Sequence, residues 1–217
     1  MCGRITLTRP NFESIAAELN VTAMNYRGYP IYAPHYNLAP TDTLPILTLQ
    51  EGERHISPMA WGTIPKNRRG MVINWRSESF PSRSPRCGVI TDGFYEWSGP
   101  KDARQPHWFH RPDHALVVLA GMWKMQQQRD STFAQAFVIL TTSANSLMAP
   151  IHDRMPVVLE ESRLDEWDEW MDPKTAAASL RTLLRPAPED WLIAEAASPL
   201  VNNVRNDGPE LLGGLSG

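Results

Sequence analysis

Residues 88–97 read GVITDGFYEW. The run is short, apolar and rich in Val, Ile, Thr and aromatic side chains, which is the composition of a β-strand. Runs of the same kind lie on both sides. Upstream are ILTL (46–49), MAWGTI (59–64) and MVINW (71–75). Downstream are HWF (107–109), ALVVLAGMW (115–123), AFVILTTS (136–143) and MPVVL (155–159). Turn residues separate them, and Pro112-Asp113 reads as the turn of a hairpin between HWFH and ALVVLAGMW. Residues 11–20 (NFESIAAELN) carry apolar side chains at helical spacing, with Asn11 as the N-cap. Residues 164–171 predict a second helix capped by Ser162, and Pro173 at the first position opens a third over 174–184. Residues 21–45 are rich in Pro, Tyr and Asn and read as an irregular loop. A late strand, WLIAEA (191–196), and the segment 200–204 close the chain. Runs of strands with helices around them predict an α+β fold: a mostly antiparallel, barrel-like β-sheet core with peripheral helices. A single domain over residues 1–212 is expected, with a disordered tail at 213–217.

The 217 residues suffice for one substantial core. Nineteen prolines and eight tryptophans exclude a coiled coil or a simple helical bundle. No run approaches the roughly 18 apolar residues of a membrane span. The first ten residues, MCGRITLTRP, have no apolar signal region. Two cysteines, Cys2 and Cys87, cannot make a disulfide framework. A soluble, cytoplasmic protein of a reducing compartment is therefore expected. The net charge of −3 conceals an asymmetry. Residues 54–111 carry ten Lys/Arg against four Asp/Glu, while residues 160–217 carry five against twelve. A basic segment in a near-neutral protein is a candidate anion-binding surface, and nucleic acid is one such anion. The alternative is a solvated face that the acidic quarter balances.

Met1-Cys2-Gly3 is the sharpest chemical feature. Removal of Met1 would leave Cys2 with a free α-amine beside its thiol. Such an amine titrates near about 7.7–8.0 and is partly neutral in the cell, and an ionised thiol is the strongest side-chain nucleophile. Together they can trap an aldehyde. The amine forms an imine, the sulfur adds to the imine carbon, and a five-membered thiazolidine closes intramolecularly. A cysteine at position 2 can equally be incidental. Three further residues could handle protons or orient groups: Asn74 in INWRSE, Glu96 between aromatics in DGFYEW, and His152 in IHDRMP. Each has a bland alternative: a turn cap, a solvated strand residue and a satisfied loop histidine. His107, His110 and His114 have ligand-like spacing, but Pro112 breaks any helix there, so no metal site is expected. Cys87 reads as a core thiol, and Trp167 and Trp170 as core-facing helix residues.

MCGR at the N-terminus, YNLAPT, WGTIP, NWRSES, DGFYEW, IHDRMP and VNNVRNDGPEL stand in this order from residue 1 to about residue 212. In these seven blocks the chain resembles the SRAP (SOS response-associated peptidase) family. The resemblance implies covalent crosslinking to abasic sites in single-stranded DNA, whose ring-opened sugar is an aldehyde, within a DNA damage response. It implies Cys2 as the nucleophile, Asn74 orienting it, and Glu96 and His152 moving protons. It implies autocatalytic removal of Met1, with Cys2 and Glu96 taking part, and lyase-type Schiff-base chemistry that ring closure suppresses. Arg4, Arg76 and Arg154 match arginines that hold DNA phosphates, Trp61 matches an aromatic that stacks on or wedges between bases, and Asn37 and Pro40 line the DNA cleft. The resemblance alone makes Asn202-Asn203 a brace for the loop of that site. Trp75 departs from the small residue of many relatives, and strand alternation turns it to the face opposite Asn74 and Arg76. No cofactor, a monomer and association with the nucleoid during repair are expected. Two other functions fit parts of the sequence: a cysteine peptidase acting in trans, and a non-covalent reader of modified DNA.

Overall fold

The computed structural model describes residues 2–21, 32–64, 70–100, 102–127, 131–160 and 166–213. Its strands are β1 (Ile5–Leu7), β2 (His35–Leu38), β3 (Thr43–Gln50), β4 (Glu53–Trp61), β5 (Asn74–Arg76), β6 (Arg86–Thr91), β7 (Gly93–Ser98), β8 (Gln105–His110), β9 (Val117–Gln127), β10 (Phe133–Ser143), β11 (Arg154–Pro156), β12 (Val158–Leu159) and β13 (Ile193–Ala196). The helices are α1 (Phe12–Glu18), α2 (Glu166–Met171) and α3 (Ala177–Leu183). Strands β3, β4, β10, β9 and β6 pair in a closed ring, since β10 bonds to both β4 and β9. The expected barrel is present, and its pairings are antiparallel except those of β10 with β4 and with β5. The ring is tight. A Cβ on Gly121 would come within 2.9 Å of Cys87 Sγ, and one on Gly88 within 2.6 Å of Val118 Cγ1. Leu47, Val89, Leu119, Phe137 and Ile139 are fully buried in the core. Cys87, Trp167 and Trp170 join the same core, as expected.

The second sheet runs β13-β8-β7-β1-β2. The run 88–97 is not one strand but two. Asp92 breaks it, so β6 closes the barrel and β7 enters the second sheet. Asp92 is almost fully buried, and its carboxylate accepts from Thr6 Oγ1 (2.5 Å), Thr8 N (2.5 Å) and Thr8 Oγ1 (2.7 Å). A buried carboxylate is tolerable only with such partners, and here they fasten β1 to the bend. The N-terminus is thereby carried to the junction of the two sheets. At Gly93 a Cβ would meet Trp108 Nε1 and lie 2.8 Å from Phe109 O, so the bend admits no side chain.

Other expectations need correction. Pro112-Asp113 does not close a hairpin, because β8 pairs with β7 and β13 while β9 pairs with β6, β10 and β12. The turn is a crossover between sheets, held by Asp113 Oδ1 accepting from Ala115 N (3.1 Å). The third helix starts at Ala177 rather than Lys174. Asp172 Oδ1 accepts from Lys174 N (2.8 Å), and Thr175 Oγ1 donates to Glu169 O (2.6 Å), so side chains hold 172–175 in a turn. Residues 35–38, read as loop, form β2, and the run 71–75 is strand only from Asn74. Asn11 caps α1 as expected, accepting from Ser14 N at 2.9 Å. Ser162 and residues 214–217 of the tail lie outside the described residues.

Candidate active site

Cys2 is fully buried at the junction of the sheets. Tyr95 N donates to Arg4 O at 3.0 Å, which sets the N-terminal residues alongside β7. On β7, side chains alternate. Phe94 packs in the barrel core, whereas Tyr95 and Trp97 belong to a small cluster on the other face. Glu96, two residues beyond Phe94, is 3% exposed and shares its face. The carboxylate acts on Cys2. Burial pushes the Cys2 thiol up, and the charge of Glu96 pushes it further. From the barrel side, β5 presents Asn74, whose Nδ2 donates to Cys2 O at 2.7 Å. Asn74 Oδ1 is buried without a hydrogen-bond partner among the described residues. The site thus joins a thiol, a carboxylate and an amide from three strands or their ends. This set can fix a cysteine backbone, keep its thiol protonated and exchange protons beside it.

His152 lies in the turn entering β11 and is partly exposed. Its Nδ1 accepts from Arg154 N at 2.9 Å and lies 3.0 Å from Asp153 Oδ1. Arg76 is exposed at the end of β5, opposite Thr141 of β10. Trp75 packs against the barrel core, with Nε1 donating to Ser79 O at 3.1 Å. Arg154 is not a free cation: it is 8% exposed, and its fork grips Glu78, with Nη2–Oε2 at 2.8 Å and a shorter Nη1–Oε1 bond. That pair holds Glu78 down at about 2. A phosphate would have to displace Glu78 to reach it.

Arg4 and Asn37 come together, with Arg4 Nη1 donating to Asn37 Oδ1 at 2.7 Å. Pro40 is partly exposed just beyond β2. Trp61 corrects an expectation. It is fully buried, stacks on Phe137 at 6.3 Å and donates Nε1 to Ile73 O, so no face of the ring is open to a base. The apolar run MAWGTI already carried that signal, since a tryptophan ending a barrel strand is ordinary core. A cavity of about 280 Å³ on the Trp97 face of β7 is lined by Gly3, the residue after Cys2, and by Arg4, Trp97, Arg104 and Asn202. Sequence reasoning missed Arg104 and Trp97, although Trp97 adjoins Glu96 in the block DGFYEW. A larger hollow of about 710 Å³ lies between residues 82–86 and 171–177 and touches none of Cys2, Asn74 or Glu96. His110 and His114 stack with each other and with Trp108 instead of converging on a point. Among the described residues no His, Cys, Asp and Glu group could hold a metal ion, and no helix is long and apolar enough to cross a membrane.

Residues 1–204 match the model of a family described as SOS response associated peptidase (SRAP). The chain is 32% identical to the abasic site processing protein YoqW of Bacillus subtilis, covering 98% of this chain and 99% of that one. It is 28% identical to the abasic site processing protein YedK of Escherichia coli, again over 98% and 99%. The abasic site processing protein HMCES of Gallus gallus is 26% identical over 83% of this chain and 66% of its own. A crystal structure of a protein from Bacteroides thetaiotaomicron superposes with a TM-score of 0.81, at 21% identity over 97% of this chain and 98% of that chain, and so shares the fold.

Proposed function

Since this chain belongs to the SOS response associated peptidase (SRAP) family, we propose that it crosslinks covalently, through Cys2, to abasic sites in single-stranded DNA and so shields them. The observation that carries this reading is the Asn74 bond to the Cys2 carbonyl beside the buried Glu96 carboxylate. Met1 leaves first. Water adds across the Met1–Cys2 peptide bond, the hydroxyl going to the Met1 carbonyl carbon and a proton to the Cys2 nitrogen. Glu96 is the base for that water. The freed amine can then donate to Asn74 Oδ1, which is otherwise unpartnered among the described residues.

The amine adds to the C1 aldehyde of the opened sugar. Water leaves and an imine forms. Sγ then bonds to the imine carbon, the thiol proton passes to nitrogen, and the thiazolidine closes with one water lost overall. The thiol is held protonated by burial and by Glu96, so the amine acts first and the sulfur second. Closure removes the cationic imine that would promote β-elimination and strand cleavage. Glu96 and His152 carry protons in sugar opening and in reversal. Arg4 and Arg76 hold flanking phosphates by bidentate, salt-sensitive contacts, and Arg154 joins them when a phosphate takes the place of Glu78.

The test is an incubation of trimmed protein with an abasic-site oligonucleotide, read by denaturing gel and mass spectrometry. A heat-stable adduct on the first residue is expected. It should be lost in Cys2→Ala and in protein whose amine is blocked. A stable adduct formed by Cys2→Ala would overturn the reading. Turnover of an unrelated peptide without DNA would favour a peptidase acting in trans.

A further inference from the structure

The segment 199–207 forms a strap over the side of the second sheet that carries Arg4. Its anchor is Asn37, which is 4% exposed on β2, next to β1. Asn37 Nδ2 donates to three strap carbonyls: Val201 O (3.3 Å), Asn203 O (3.1 Å) and Asn206 O (2.8 Å). Asn37 Oδ1 accepts from Arg4 Nη1 at 2.7 Å, and the same Nη1 donates to Val201 O at 2.8 Å. Asn37, Val201 and Arg4 thus form a closed triangle, each bonded to the other two. The strap is pinned again at its far end. Asp207 accepts from Tyr36 N (2.5 Å) and pairs with His35 Nδ1 (2.8 Å). Trp97 Nε1 also donates to Asn202 Oδ1 at 2.7 Å.

The triangle uses both Nη1 hydrogens of Arg4. It leaves the Nε–Nη2 edge, the edge that meets an oxyanion with two parallel bonds. Arg4 and the strap residue Asn202 both line one cavity, together with Gly3, the residue that follows Cys2. A long side chain at the mouth of a site would otherwise sample many rotamers, and each would have to be given up on binding. We infer that Asn37 and the strap 199–207 are positioning elements that present the Nε–Nη2 edge of Arg4 to a DNA phosphate next to Cys2. Asn37 therefore does not touch DNA. Its oxygen is occupied by Arg4 and its amide by the strap. The inference rests on the reading above that Arg4 holds a phosphate.

The experiment measures binding of trimmed protein to an undamaged single-stranded oligonucleotide by fluorescence anisotropy over a range of salt. Removing one arginine–phosphate pairing should lower the slope of log K against log salt by about 0.7 for a single strand. Arg4→Ala should lower the slope by that amount and weaken binding roughly tenfold at low salt, the scale of one charge-assisted hydrogen-bonded pair. Asn37→Ala should reproduce both effects, and the double variant should bind no more weakly than either single one. Asp207→Ala loosens the strap from its far end and should give a partial effect, which keeps the test usable if Asn37→Ala folds poorly. Wild-type slopes in Asn37→Ala and Asp207→Ala would overturn the inference, as would a full second loss in the double variant. A purely structural brace would change stability without moving the salt slope. Failure of the functional reading looks different: wild-type protein would give no adduct with the abasic oligonucleotide.

Discussion

The Cys2 thiol lies in the core with Glu96 as its charged neighbour, and both keep its proton on. In the proposed reaction, proton exchange by Glu96 rather than a standing thiolate makes this residue reactive. Glu96→Gln keeps the shape of the side chain but cannot act as a base. Mass spectrometry of the purified variant should find Met1 retained, and any trimmed fraction should crosslink about a hundredfold more slowly. Full trimming and a wild-type rate would remove Glu96 from the chemistry. The Arg154–Glu78 ion pair sets a pH dependence. Arg154 holds Glu78 from an ordinary 4.5 down to about 2. The carboxylate binds its proton less readily folded than unfolded, so its stabilisation is complete above about pH 4.5 and fades as pH falls toward 2. Glu78 is 60% exposed, so solvent screens the pair and the effect is modest. The Tm gap between wild type and Glu78→Gln should be constant above pH 5 and shrink on acidification. A gap unchanged at pH 3 would mean the pair contributes nothing through charge.

Elements carry these residues to one place through a single break. Asp92 and Gly93 divide one apolar run into a barrel strand and a strand of the second sheet, and β1 is bolted to that bend. Gly93→Ala must push back Trp108 or the Phe109 carbonyl. It should destabilise the fold by about 1–3 kcal/mol, measured by urea unfolding, and slow crosslinking by shifting β7 and Glu96 relative to Cys2. Stability unchanged within about 0.5 kcal/mol would mean that the bend is soft. The same break explains what was legible. Val, Ile and aromatic density marks where the strands are, and Asn11 with helical spacing marks α1. Composition alone does not say where a continuous run changes sheet, because that depends on a buried carboxylate finding Thr6 and Thr8 some 85 residues away in sequence. Nor does it separate β2 from a loop, since His35–Leu38 is held by its neighbours more than by its own propensity. The turn at Pro112 was legible as a turn, but not which sheets it joins.

Over the whole chain, the second quarter of the sequence carries ten cations and the last quarter twelve anions, within a net charge of −3. The seven blocks made the family readable across the chain. The roles of single side chains toward DNA were less readable, because a tryptophan or arginine in a motif looks the same whether it is open or enclosed. Folding sorted them: Trp61 is core and Arg154 is gripped by Glu78, while Arg76 and Arg104 remain at the surface and Arg4 is half-buried at the cavity. That sorting sets a magnitude. If Arg4, Arg76 and Arg104 each neutralise one phosphate, the slope of log K against log salt should be about −2, since each phosphate neutralised on a single strand contributes about −0.7. Affinity should then fall roughly twentyfold between about 50 and 200 mM salt. If binding also draws Arg154 away from Glu78, the slope should approach about −3, and Arg154→Met should return it to about −2. The acidic quarter predicts a further asymmetry, because phosphates extending toward α2, whose first turn is acidic, would meet repulsion. A slope near zero, with the adduct still forming, would mean that shape alone brings the lesion to Cys2.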